Sequence, residues 1–255
     1  MKFPKVRRRE KASTMTIVEH LEELRGRLSI ALIAIAAGAI VGWFLFEPVM
    51  DLLRGPFCDA VEALPETQRP PTGCDLLFTG PVEPFMIKIK VVFFIGLGCA
   101  LPVVLWQFWA FVTPGLTRRE RRLAVPFVVS SLALFLMGAW FAMLTLPRGL
   151  AFLLGFAGDG FVTFLTASRY ISFVMLLTVA FGLSFEFPLA LIFLGWAGVL
   201  SSRQLREFRR YTILVIAIFA AVITPSQDPY TMLMLMAPMV VFYEVAILVI
   251  RAMKK

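Results

Sequence analysis

Three carboxylates stand where the surrounding sequence gives them no ordinary reason to be. Glu120 lies between Arg118-Arg119 and Arg121-Arg122, its charge outnumbered four to one on its own segment. Glu23 precedes Arg25 and Arg27 in HLEELRGRL, and Glu186 interrupts a 33-residue apolar run, Tyr170 to Ser202, in SFEFP. An ionised carboxylate on a basic surface suits one task well: accepting the planar fork of a guanidinium. An acid at mid-bilayer depth costs about 2.5–3.5 kcal/mol on insertion scales, so it must face protein or water. Two roles stay open for Glu186 on residues alone: a polar contact for a partner helix or cargo, or a protonated acid hydrogen-bonded to a neighbouring span. Thr178, Ser184 and Thr224 are candidates to join it in a polar patch. Glu244, nearer a helix end, is expected to snorkel or to pair with Arg251.

Other chemistry cannot be assembled. His20 is the only histidine, which removes His-based metal clusters and catalytic triads. The chain has no phosphate-binding G-x-x-x-x-G-K-[ST] and no dinucleotide fingerprint, and its spans offer no paired aspartates. The expectation is a protein without cofactor or catalysis, working by binding, transport or assembly.

These acids sit in a chain of 255 residues that is 59% hydrophobic and 16% charged, with a mean hydropathy of +0.83. Such a composition belongs to an integral membrane protein. Charge-free runs predict an all-α, polytopic fold: one membrane domain, 1–255, with six spans near 28–46, 88–112, 123–147, 169–198, 211–224 and 229–250. The large external loop is 47–83. Spans five and six are the short ones. The fifth holds 14 residues before Pro225, about 21 Å of a roughly 30 Å core. Pro102, Pro126, Pro188 and Pro238 predict kinks and hence a concave wall.

Six spans put both termini on one side. That side carries eight Lys/Arg in 1–27, four in 113–122, four in 203–210 and three in 251–255, or 19 of 25. The positive-inside rule makes it the cytoplasmic side. The net charge of +8 is therefore topological, and no nucleic-acid partner is expected. Cys99 reads as a small core residue. Cys58 and Cys74, sixteen apart in the external loop, could close a disulfide, although the spacing does not require one. Trp106 and Trp109 read as interface anchors. Val18, Leu21, Leu24 and Leu28 form the apolar stripe of a helix that runs into span one.

HLEELRGRL before span one, QFWAFVTPGLTRRERR after span two, SFEFP in span four and TPSQDPYT after span five resemble the TatC subunit family of the twin-arginine protein translocase. The likeness runs from about Thr16 to Ile250. It implies a receptor for signal peptides with two consecutive arginines, in the prokaryotic cytoplasmic membrane. Such a receptor assembles with single-span TatA- and TatB-like partners and with copies of itself, and exports folded precursor proteins on the proton-motive force. By the same resemblance Glu23 and Glu120 engage the arginines, with Arg25 alongside, Phe111 and Pro114 shaping the loop, and Arg121 following its acid. Pro56 and Phe85 match external-loop positions, and Glu186 matches the intramembrane acid where partner helices dock. Asp228 matches the acid of the TP motif, although Met232 stands where the family often has Gln. Lys88 is unusual for the family and receives no role.

A proton-coupled solute transporter using Glu186 is the alternative from another class. The absence of an internal repeat, and the placing of the most specific motifs at the membrane surface, favour the receptor. A scaffold with idle acids is a third reading.

Overall fold

The computed structural model describes residues 17–70, 72–112, 124–155, 165–224 and 228–253. Nine helices order the described residues: α1 (Ile17–Phe44), α2 (Phe46–Glu62), α3 (Glu83–Val112), α4 (Ala124–Gly155), α5 (Ala167–Phe185), α6 (Phe187–Trp196), α7 (Ser202–Glu207), α8 (Arg209–Ile223) and α9 (Pro229–Ala252). In hydrocarbon every backbone N–H and C=O must be satisfied within the chain, which is why the spans are helices. Five stretches are long and apolar enough to cross a membrane: α1, α3, α4, α5 with α6, and α9. The sixth span is α8, 15 residues or about 22 Å long. It and the 24-residue α9 are the two shortest.

The helices overrun the apolar stretches that predict them. Span one is the outer part of a helix that begins at Ile17, α3 starts at Glu83, and Arg148 lies inside α4. An apolar run measures what lipid tolerates, whereas the backbone hydrogen-bond ladder continues into the interface. Pro102, Pro147 and Pro238 sit within continuous helices, and Pro126 lies in the first turn of α4. Pro188 accompanies a real break: α5 stops at Phe185, Glu186 forms the joint, and α6 starts beyond it.

The core centres on α5, where Tyr170, Ile171, Val174, Leu177 and Phe181 are buried. By contrast α1 packs almost wholly against α3. That contact is backbone to backbone. A Cβ on Gly38 would stand 2.6 Å from the Gly96 carbonyl oxygen, and one on Gly96 would stand 2.8 Å from the Ala39 nitrogen. Small residues replace side-chain interdigitation here, as in other membrane helix pairs.

Segment 45–83 is partly helical and tied to the helix ends. Leu53, Phe57, Ala60 and Val61 of α2 join the core, and Tyr170 Oη donates to the Leu53 carbonyl at 2.7 Å. Pro56 is buried within α2, whereas Phe85 is exposed. Glu83 accepts from the Thr79 N–H (2.6 Å) and the Ser168 N–H (3.0 Å), pinning this segment to the start of α5. Cys58 and Cys74 are free thiols. They are neighbours: burial, then the hydrogen bond shared with Cys74, push the Cys58 thiol up to about 11. Cys99 is not a core residue but exposed. Glu244 pairs with Arg209 at 2.5 Å rather than with Arg251. Arg251 lies two turns along the same helix, whereas Arg209 opens α8 beside it.

The close seam predicts an asymmetry among glycines. Gly96→Val should lower stability by about 1–3 kcal/mol, the usual cost of overpacking. Gly98→Ala, where a Cβ meets open space, should stay within about 0.5 kcal/mol. Thermal unfolding of the purified protein in detergent distinguishes them, and equal losses would contradict the close-contact account.

Candidate functional site

The first polar constellation lies where α1 begins and α3 ends. His20, Glu23 and Arg27, spaced three and four apart, share one face of α1. Gln107 and Phe111, four apart, face them from α3. The His20 and Phe111 rings stack at 4.4 Å with a 16° interplanar angle. Arg27 closes the seam: Nε and Nη2 donate to Glu23 Oε1 at 2.9 and 2.5 Å, and Nη1 donates to Gln107 Oε1 at 3.3 Å. Glu23 Oε2 is buried and has no hydrogen-bond partner among the described residues. The carboxylate thus carries one guanidinium and retains a second acceptor oxygen. An ionised acceptor left without a donor costs free energy, so this oxygen favours any donor that can reach it.

Arg25 lies two residues on, about 200° around the helix, and is exposed rather than drawn to Glu23. Glu22 is likewise exposed, as are Val18, Leu21, Leu24 and Leu28 of the apolar stripe. Glu120, Pro114 and Arg121 fall in 113–123, outside the described residues. That stretch joins Val112, one residue past Phe111, to α4.

The second constellation is Glu186 at the α5–α6 joint. Ser131 of α4, fully buried, donates to Glu186 Oε2 at 2.6 Å. Oε1 is buried without a hydrogen-bond partner among the described residues. The acid borders an apolar groove of about 490 Å³ whose lining includes Phe108, Trp109, Phe193, Ile216 and Met239. Trp109 is buried there among Phe127 and Phe193 instead of anchoring an interface, while Trp106 is 45% exposed.

The expected patch of Thr178, Ser184 and Thr224 does not form around Glu186. Each hydroxyl donates to the carbonyl four residues back, Val174, Ala180 and Ala220 respectively. A hydroxyl inside a helix always has that carbonyl within reach, so it needs no distant acid. Asp228 is used locally as well. Its Oδ1 accepts from the Thr231 N–H at 2.9 Å, capping α9, with Pro229 at the first helical position.

Arg27, Gln107, His20 and Ser131 are the working partners that motif reading passes over. The spacing of 20, 23 and 27 against 107 and 111 was available in the sequence. Nothing in SSLAL distinguishes Ser131 from its neighbour.

Ser131→Ala should destabilise the fold by about 1–3 kcal/mol, because it strips Glu186 of its one described donor. Adding Glu186→Leu to Ser131→Ala should recover part of the loss. Equal melting of wild type and Ser131→Ala would show that this bond carries no weight.

A family model described as Sec-independent protein translocase protein (TatC) matches residues 19–238. The chain is 47% identical over 244 residues to the Sec-independent protein translocase protein TatC of Frankia casuarinae, covering 93% of this chain and 66% of that one. The protein of the same name from Corynebacterium kroppenstedtii is 39% identical, with 92% and 61% covered. That from Aquifex aeolicus is 37% identical, with 91% and 93% covered. The chain therefore spans about two thirds of the first two relatives and nearly all of the third. A crystal structure titled Twin Arginine Translocase Receptor- TatC superposes with a TM-score of 0.74 at 35% identity, covering 93% of this chain and all of that one. A second, in DDM, gives 0.72 at 37% identity, covering 90% of this chain and 98% of that one.

Proposed function

The chain belongs to the TatC family of Sec-independent protein translocase proteins, and from that premise we propose that it is the signal-peptide receptor of a twin-arginine translocase. Glu23 and Glu120 each accept one guanidinium of the arginine pair. The face bearing both termini is cytoplasmic, in keeping with its 19 of 25 basic residues. Single-span TatA- and TatB-like proteins dock along the membrane face near Glu186, copies of the chain associate with one another, and the proton-motive force drives export.

The observation that carries this reading is the state of Glu23. It already holds a guanidinium, that of Arg27, and has a second oxygen without a donor among the described residues. An incoming arginine either takes that oxygen by parting the α1–α3 seam or exchanges for Arg27. Arg27 therefore sets the threshold: a cation must present a fork at least as good as the resident one. An ammonium, with point-like geometry, cannot match it.

Two charge-assisted bonds contribute roughly 3–6 kcal/mol together, whereas micromolar binding needs about 8. The remainder fits the apolar segment of a signal peptide laid in the groove of about 490 Å³ that starts at Phe108 and Trp109. On this reading the acids discriminate and the groove supplies much of the affinity. Arg118, Arg119, Arg121 and Arg122 repel any cation that does not meet a placed carboxylate.

The test is binding of a twin-arginine signal peptide to the purified chain, beside the same peptide with lysine at both positions. Arginine should be preferred at least tenfold, about 1.4 kcal/mol, and the preference should vanish in Glu23→Ala and in Glu120→Ala. Equal binding of both peptides, unchanged in the variants, would reduce the interaction to apolar association and favour a transporter using Glu186.

A further inference from the structure

We propose that the outer seam of α1 and α3, at the end of the bundle where α2 lies, holds one anionic phospholipid. Its phosphate sits at the Lys88 ammonium, and one acyl chain lies in the groove beneath Trp43. The site is independent of the signal-peptide reading.

Lys88 is placed rather than free. Its Nζ lies 4.5 Å from the ring centroid of Trp43 and 5.1 Å from that of Phe46. Two aromatic faces hold an ammonium by attraction to the ring quadrupole, and they leave its full charge in place. No described carboxylate comes within 4 Å of it; Glu47 and Asp51, the acids near the start of α2, form no ion pair with it. Lys90, two residues on and on another face of α3, is engaged by Ser168 and Ser172 at 3.3 and 3.0 Å. Of the two lysines at this end of α3, Lys88 keeps its donors for a ligand.

Trp43 also lines a groove of about 460 Å³, with Ala36, Ala39 and Ile40 on its own helix and Val92 and Phe93 on α3. Alanines deepen the α1 side, where a larger residue would fill the channel. From residue 36 to 44 the groove extends about 12 Å along α1, close to the hydrocarbon depth of one leaflet, about 15 Å. Both walls are membrane spans. What fills an apolar channel at that depth is hydrocarbon, and the Trp43 ring that lines it also holds an ammonium without a described counter-ion. A chain joined to a negative head satisfies both. A zwitterionic lipid brings its own cation to its phosphate and gains less from Lys88. Inorganic phosphate has nothing for the groove.

The experiment is native mass spectrometry of the purified protein, released from detergent after equilibration with equal phosphatidylglycerol and phosphatidylcholine. The wild-type chain should retain one phosphatidylglycerol in preference. Lys88→Gln should reduce that preference about fivefold, the weight of one basic group near an anionic surface, and Lys88→Arg should keep it. Lys90→Gln should leave it unchanged. Ile40→Trp, at a position 67% exposed and so harmless to packing, should lower retention of both lipids by filling the groove. Excess inorganic phosphate should displace neither. Equal retention of the two lipids by wild type would overturn the proposal. So would equal effects of Lys88→Gln and Lys90→Gln, release of lipid by phosphate alone, or a co-purifying polypeptide in place of lipid.

Discussion

Gly38 of α1 and Gly96 of α3 approach until a single added Cβ would strike backbone, and that contact fixes the register of the two helices. In an antiparallel pair, contacting residues have a constant sum of residue numbers. Gly42 against Val92, Gly38 against Gly96 and Arg27 against Gln107 share one sum. The two glycines therefore set, about 17 Å away along each helix, that Arg27 meets Gln107 at the terminal end. They set equally which residues meet at the other. A bulkier residue in the seam would spread the helices and part Arg27 from Gln107 and Lys88 from its rings together.

Within that frame the carboxylates divide by what satisfies them. Asp228 is consumed by capping α9, Glu83 by pinning the loop segment to α5, and Glu244 by Arg209 across α8 and α9. These acids build the fold. Among the described residues Glu23 and Glu186 are each held through one oxygen and left with another unbonded, one at the end of the α1–α3 seam and one at the α5–α6 joint. A half-satisfied buried acid is costly to keep. Both lie where a family of translocase proteins meets ligands or partners on the reading proposed above.

Much of the fold was legible from composition and spacing. Apolar runs gave six spans, a number the helices agree with. Helix ends were partly legible: the apolar stripe from Val18 to Leu28 marks the helix that runs into span one, whereas Glu83 to Lys90 is polar enough to escape an apolar window yet continues α3. The site was partly legible. Glu23 and Glu186 stand out as acids in the wrong company, but their partners do not. Ser131 looks like any serine in a span, and Arg27 reads as a topology charge until Gln107 and Glu23 are seen around it. Prolines were uneven guides to helix breaks: Pro102, Pro126 and Pro238 lie within helices that run on, and only Pro188 marks a joint. A helix breaks where neighbours accept the freed carbonyls, which depends on packing that sequence does not display.

The central claim is that one arginine of the signal peptide meets Glu23 itself. The most direct measurement is a double-mutant cycle on affinity between Glu23→Gln and an Arg→Gln change at each peptide arginine in turn. A direct pair predicts a coupling of about 1.5–3 kcal/mol for one arginine, the range of hydrogen bonds to charged groups, and near zero for the other. Coupling near zero at both arginines would contradict the account and leave Glu23 as a partner of Arg27 alone.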